Sequence, residues 1–262
     1  MPRPAPERTL PRMLERTLEG EIAILRLCHG KASALDLEFC ERLEAALAEE
    51  ERAATRALVL TGTGGIFSAG VDLTRLLDGG PGYLRRFLPA LDALLDALLR
   101  FQKPLVGALN GHAIAGGALI AGACDLRLFA RGKATLGVVE LTVGVPFPLL
   151  GVEIARELFP AERLNEALYC GRLYRAEECA ELGLVDELVE PEALLPRALE
   201  RARGLAAIPG LSFARTKRLR RLPALENHDR HGARAAAETL EAWSSPEVLA
   251  AVRAYVARTL RR

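Results

Sequence analysis

The chain has 262 residues, half of them hydrophobic, and 35 Lys and Arg against 34 Asp and Glu give a formal net charge of +1. That is enough apolar sequence for one large core, or a core with an appendage, and it excludes a disordered chain. The balanced charge excludes a general electrostatic attraction to nucleic acid or to an anionic membrane surface.

Residues 1–16 mix Pro and Arg with Glu7 and Glu15 and lack the apolar centre of a secretory signal, so they read as a flexible tail. Transit peptides are richer in serine and poorer in acidic residues than this segment. Five cysteines contain no C-x-x-C pair and are odd in number, so neither a disulfide framework nor a zinc site is indicated. The four histidines have no metal-ligand spacing. These features fit a reducing cytoplasm.

In chain order, residues 21–27 alternate as a strand, 35–54 repeat apolar residues at helical spacing, and 57–60 read as a second strand. Residues 83–101 carry Leu84, Phe87, Leu88, Leu91, Leu94, Leu95, Leu98 and Leu99, an apolar stripe of helical period that stops before Pro104. Residues 104–124 are nearly uncharged and about 20 residues long, the length of a membrane span. Asn110, Gly111 and His112 break that stretch into a strand over 105–109 and a small-residue helix over 116–123, the signature of a doubly buried αβ core. Strands are expected at 126–129 and 134–138, followed by a Gly- and Pro-dense loop over 143–151. Helical patterns cover 163–168, 176–182 and 192–207, with a strand at 185–189, and everything from 211 onward reads as helix. Ser245-Pro246 has the form of an N-cap followed by proline at the first helical position. The organisation expected is a tail (1–16), an α/β core (17–207) and a C-terminal helical region (208–262).

Gly62-Thr63-Gly64-Gly65 fails as a dinucleotide fingerprint because position 67 is Phe, and no Lys-Ser or Lys-Thr follows to make a phosphate loop. It reads as a turn after a strand. The run Lys217-Arg218-Leu219-Arg220-Arg221 reads as a solvated helix face rather than a phosphate site. Asp72 reads as a loop hydrogen-bonder or helix cap, and His112 as a hydrogen-bonded structural histidine.

Two glycine-bearing segments, Phe67-Ser68-Ala69-Gly70-Val71-Asp72 and Asn110-Gly111-His112-Ala113-Ile114-Ala115-Gly116-Gly117-Ala118-Leu119, together resemble the crotonase (enoyl-CoA hydratase/isomerase) superfamily. The resemblance runs from about residue 22 to 189. It implies an α/β spiral of ββα units with a C-terminal helical region that packs subunits into a homotrimer or hexamer. It also implies that the N–H groups of Val71 and Gly116 form an oxyanion hole for the thioester oxygen of an acyl-CoA. A helix N-terminus has amides without intrahelical acceptors, and its partial positive charge favours an oxyanion.

By the same resemblance Glu140, between Gly137 and Gly144, matches the family glutamate, and its apolar neighbours Val139 and Leu141 favour a raised pKa suited to a base. Hydratases of the family have a second glutamate three positions after the oxyanion glycine, where this chain has Leu119. Leucine can neither position nor deprotonate a water. The family's 3,2-enoyl-CoA isomerases pair an apolar residue there with one glutamate. Their likeness extends to Leu73-Thr74, Pro146-Phe147 and Ala254-Tyr255-Val256-Ala257-Arg258. Lys31-Ala32-Ser33-Ala34-Leu35 matches the region that meets CoA, which assigns substrate contacts to Ala32, Ala34 and Ala69.

The expectation is a cytoplasmic acyl-CoA isomerase with no separate cofactor, CoA arriving as part of the substrate, and with neither nucleic acid nor membrane as partner. A hydratase, decarboxylase or thioesterase on the same oxyanion hole is the alternative enzyme. A crotonase-like RNA-binding or scaffold protein is the alternative of another class, supported by the basic run alone.

Overall fold

The computed structural model describes residues 13–259. It begins with strands β1 (Leu14–Glu19) and β2 (Ile22–Leu27), which pair antiparallel, and helix α1 (Leu37–Arg52). Residues 14–16, assigned above to the flexible tail, are therefore the first half of a strand; the rest of that tail, residues 1–12, lies outside the described residues. The Asp36 side chain caps α1 by accepting from Phe39 N at 2.8 Å, leaving one fewer orphan amide at the helix start.

Three ββα units follow. The first is β3 (Ala57–Thr61), β4 (Ile66–Ser68) and α2 (Leu73–Arg100); the second is β5 (Leu105–Leu109), β6 (His112–Ile114) and α3 (Gly116–Gly122). The third is β7 (Leu126–Ala130), β8 (Thr135–Gly137) and the one-turn helix α4 (Glu140–Val143). In every unit the first strand enters one sheet and the second enters another. The remaining elements are α5 (Leu149–Leu158), α6 (Ala161–Cys170), β9 (Tyr174–Arg175), α7 (Ala176–Glu181), β10 (Glu187–Val189), α8 (Leu194–Ala206), α9 (Gly210–Trp243) and α10 (Pro246–Thr259).

The larger sheet has the order β1-β2-β3-β5-β7-β10, parallel except for the β1–β2 pair; the smaller has the order β4-β6-β8-β9, with β4, β6 and β8 parallel. Side chains alternate across the larger sheet. Ala57, Val59, Val106 and Ala108 face α8 through Ala198 and Ala202, whereas Leu58, Leu60, Leu105 and Leu109 face the main core. Burial on both faces is the reason these strands read as unbroken apolar runs.

The stripe from Leu84 to Leu99 is buried throughout, as its period required. The helix carrying it begins ten residues earlier than its sequence pattern, at Leu73, and kinks at Gly80, whose φ of 58° interrupts the helical run just before Pro81. Residues 104–124 fold as β5, β6 and α3, and no helix among the described residues is long and apolar enough to cross a membrane. Asn110 pins the turn after β3, accepting from Gly62 N at 2.7 Å and donating to Gly64 O at 2.8 Å. Four strands escaped the sequence reading: β1, part of which was assigned to the tail, and β4, β6 and β9, whose two or three residues carry too little period. The loop expected over 143–151 is shorter than expected, since α4 runs to Val143 and α5 begins at Leu149 directly after Pro148.

The basic run on α9 is only half solvated, which corrects its reading as an exposed face. Lys217 and Arg221 are buried, and both bind Asp125, at 2.6 and 3.0 Å. Arg221 also donates to the carbonyls of Leu98, Leu99 and Ala123, satisfying the C-terminal ends of α2 and α3. These charges join the C-terminal helices to the core, and only Arg218 and Arg220 of the run's cations face outward.

Candidate active site

The residues singled out by sequence converge because each follows the C-terminal end of one of three adjacent parallel strands. Val71 follows β4, Gly116 follows β6 and Glu140 follows β8, and these strands lie side by side. The crevice beyond the carboxyl ends of parallel strands is where open α/β sheets bind ligands.

The two glycine-bearing segments touch through their glycines. A Cβ on Gly70 would lie 2.9 Å from Gly116 N and 2.8 Å from Ile114 O, and one on Gly117 would lie 2.2 Å from Ser68 O. Gly70 also holds φ at +78°, a conformation that favours glycine. The N–H groups of Val71 and Gly116 donate to no backbone carbonyl among the turns, loops and caps of the described residues, while those of their neighbours Asp72 and Ala115 do. Two free amides therefore flank one close glycine contact. Such a pair can hold a developing oxyanion.

Ala115 supplies a feature that sequence reading missed. It is the N-cap of α3 at φ 52° and ψ −125°, a strained conformation for a residue with a Cβ, and its amide donates to Gly137 O at 2.9 Å. That turn aims the start of α3 and ties it to the strand that leads to Glu140.

The loop over 31–35 runs beside the first oxyanion segment. Ala69 N donates to Ala32 O at 3.0 Å, Ser68 Oγ to Ser33 O at 2.7 Å, and Leu35 N to Gly70 O at 2.8 Å. Ala32 and Ala34 are half-buried and Ala69 is exposed, so this ledge borders the segment that carries Val71. Asp72 accepts from Arg75 N at 2.9 Å and caps α2, which is the role expected of it. His112 is held through Nδ1 by the backbone N–H of Thr135 at 3.1 Å, as a structural histidine.

Glu140 opens α4. Its side chain is buried, and Oε2 has no hydrogen-bond partner among the described residues. Burial is the main cause that pushes its carboxyl up to about 7, offset in part by backbone N–H groups of residues 139 and 140. Val139 contributes to the apolar surroundings, but Leu141 does not, because it faces outward with 43% exposure. A carboxyl near neutrality exchanges protons readily in both directions.

Leu119 is buried one turn into α3, with its Cδ1 3.3 Å from the Cβ position of Gly151 on α5. Position 119 is thus an apolar wall between α3 and α5. Asp72 is engaged as a cap, whereas Glu140 keeps one carboxyl oxygen, Oε2, without a hydrogen-bond partner among the described residues.

Spiralling ββα units with an amide pair and one buried carboxyl at their strand ends define a crotonase-fold enzyme site. The sequence profile described as Enoyl-CoA hydratase/isomerase matches residues 17–255, and the chain belongs to that family. It is 29% identical over 218 residues to a mitochondrial enoyl-CoA delta isomerase 1 from Rattus norvegicus, covering 82% of this chain and 75% of the relative. It is 38% identical over 154 residues to a putative enoyl-CoA hydratase from Thermus thermophilus, covering 58% of each. Among solved structures, human mitochondrial delta3-delta2-enoyl-CoA isomerase superposes with a TM-score of 0.90 at 25% identity, covering 94% of this chain and 98% of that one. A probable enoyl-CoA hydratase from Mycobacterium tuberculosis reaches a TM-score of 0.78 at 28% identity, covering 95% and 99%.

Proposed function

We propose that the protein is an acyl-CoA isomerase that moves a C3–C4 double bond to C2–C3. The observation that carries this reading is the buried carboxyl of Glu140, whose Oε2 has no hydrogen-bond partner among the described residues, in a site whose other family carboxylate position is Leu119. The thioester oxygen accepts from the amides of Val71 and Gly116. Glu140 removes a C2 proton, the charge spreads over the dienolate and the thioester oxygen, and the same carboxyl returns the proton to C4. No atom is gained or lost, so one carboxyl suffices, and an apolar wall keeps water from the intermediate. CoA enters as part of the substrate and no other cofactor is required. Ala32, Ala34 and Ala69 form the ledge proposed for its nucleotide and pantetheine, and the protein is proposed to act in the cytoplasm.

The deciding experiment mixes the protein separately with 3-enoyl-CoA, trans-2-enoyl-CoA and malonyl-type thioesters and identifies the products. Conversion of 3-enoyl-CoA is expected. Net hydration of trans-2-enoyl-CoA in its place would assign a hydratase. Leu119→Glu should introduce hydration of trans-2-enoyl-CoA while lowering the melting temperature, because a carboxyl at this buried position is desolvated. Absence of hydration in a folded Leu119→Glu protein would show that position 119 does not separate the two reactions.

A homotrimer or dimer of trimers is the proposed assembly. The single chain leaves Leu141, Tyr169 and Leu173 exposed near α4 and α6, and Leu211 and Leu219 exposed on α9, more large apolar surface than a monomer needs to show. Light scattering at micromolar concentration should return three or six times the monomer mass, and a monomer mass would count against it.

A further inference from the structure

Trp243, the only tryptophan of the chain, ends α9 and is buried. Its indole Nε1 donates to Pro146 O at 2.9 Å, in the loop that leaves the catalytic helix. One residue earlier in that loop, Val145 N donates to Glu140 O at 3.0 Å, and Gly144 N donates to the same carbonyl at 3.0 Å. The indole is therefore two peptide units from a hydrogen bond to Glu140 itself. A second contact lies beside the first. Gly144, at φ 99°, sits under α10 so closely that a Cβ there would lie 2.5 Å from Ala251 Cβ. Val143 and Val145 are buried beneath this roof, as is Val252 of α10.

We infer that Trp243 is a positioning residue for Glu140: its hydrogen bond to Pro146, with α10 seated on Gly144, holds the loop over 144–148 shut and keeps water from the Glu140 carboxyl. This rests on the reading of Glu140 as the base, but the closure can be measured without turnover. The raised carboxyl of Glu140 owes its position to burial, so a loosened loop lets water in and lowers it. Other charges do not explain the shift. The ionisable side chains on the two helices packed against α4 are Glu162, Arg163, Glu166, Tyr169 and Cys170 of α6, and Glu247, Arg253, Tyr255 and Arg258 of α10. None is among the causes of the shift at Glu140, and Arg163 is paired with Glu166.

Trp243→Phe keeps an aromatic side chain, smaller than the indole, and removes the N–H. Side-chain carboxyl NMR of glutamate-labelled protein, with Glu140→Gln identifying the resonance, should show the Glu140 midpoint falling from about 7 toward 4.5. With 3-enoyl-CoA, kcat should fall about 10- to 100-fold with KM little changed, and the acid limb of the rate profile should move to lower pH. Ala251→Val pushes α10 off Gly144 without touching the indole, and should move the midpoint in the same direction. A third reading uses the wild type, whose single indole N–H resonance should titrate with Glu140 and become flat in Glu140→Gln. A wild-type midpoint and kcat in folded Trp243→Phe, or an indole resonance flat across this range in the wild type, overturns the inference. If the midpoints move as expected but the wild type isomerises nothing, the closure stands and the isomerase reading falls.

Discussion

Glu140→Gln is expected to lower the turnover of 3-enoyl-CoA at least about 100-fold, the lower end of what a positioned base contributes, with substrate affinity nearly intact. The amide keeps the shape of the side chain and cannot take the C2 proton. The same substitution should raise stability at alkaline pH. In the folded protein Glu140 keeps its proton up to about pH 7, against 4.5 for an ordinary glutamate, so folding takes up a proton between those values. Stability therefore falls as pH rises from 4.5 to 7 and is level above, a penalty of at most about 3 kcal/mol that Gln does not carry. Thermal melts should show the variant more stable than the wild type at pH 8 and no different at pH 4. Wild-type turnover in the variant would remove Glu140 from the reaction, and an unchanged melting temperature at pH 8 would remove the buried-charge account.

Gly116→Pro is expected to lower turnover by about 100- to 1,000-fold, roughly 3 to 4 kcal/mol of transition-state stabilisation, because it deletes one oxyanion donor. The position is the first of α3, where proline is tolerated by the helix, and the side chain nearest to a new Cβ is the flexible end of Leu35 at 2.6 Å. The strain is at Ala115, whose φ of 52° lies outside the extended region that a residue before proline prefers. Gly70→Ala gives an independent test of the same hole, since its Cβ would enter the contact with Gly116 N and push the donors apart. Native-like melting with wild-type rates in Gly116→Pro would remove that amide from the mechanism.

Elements with a strong period were legible in the sequence by themselves. The stripe from Leu84 to Leu99 and the strands over 57–60 and 105–109 need no partner to be recognised, because helical and pleated backbones place side chains at fixed intervals. The caps at Asp72 and Ser245 were also legible, since a short polar side chain bonds an amide three residues on; Ser245 Oγ accepts from Val248 N at 3.2 Å. The candidate site at Val71, Gly116 and Glu140 was legible only through likeness to a family. Nothing local marks an amide as free or a carboxyl as buried.

Tertiary structure decided the rest. It brought β4, β6 and β8 side by side, so that residues far apart in the chain meet at three strand ends. Three-residue strands have no period of their own and exist because neighbours pair with them. Lys217 and Arg221 turned inward because Asp125, 92 and 96 residues away, lies beneath α9 and supplies the charge that makes their burial tolerable. Trp243 reached the Glu140 loop for a similar reason. A residue's neighbours across the chain set its burial, and burial sets both the proton affinity of Glu140 and the shape of the site around it; a sequence lists those neighbours without saying which of them will touch.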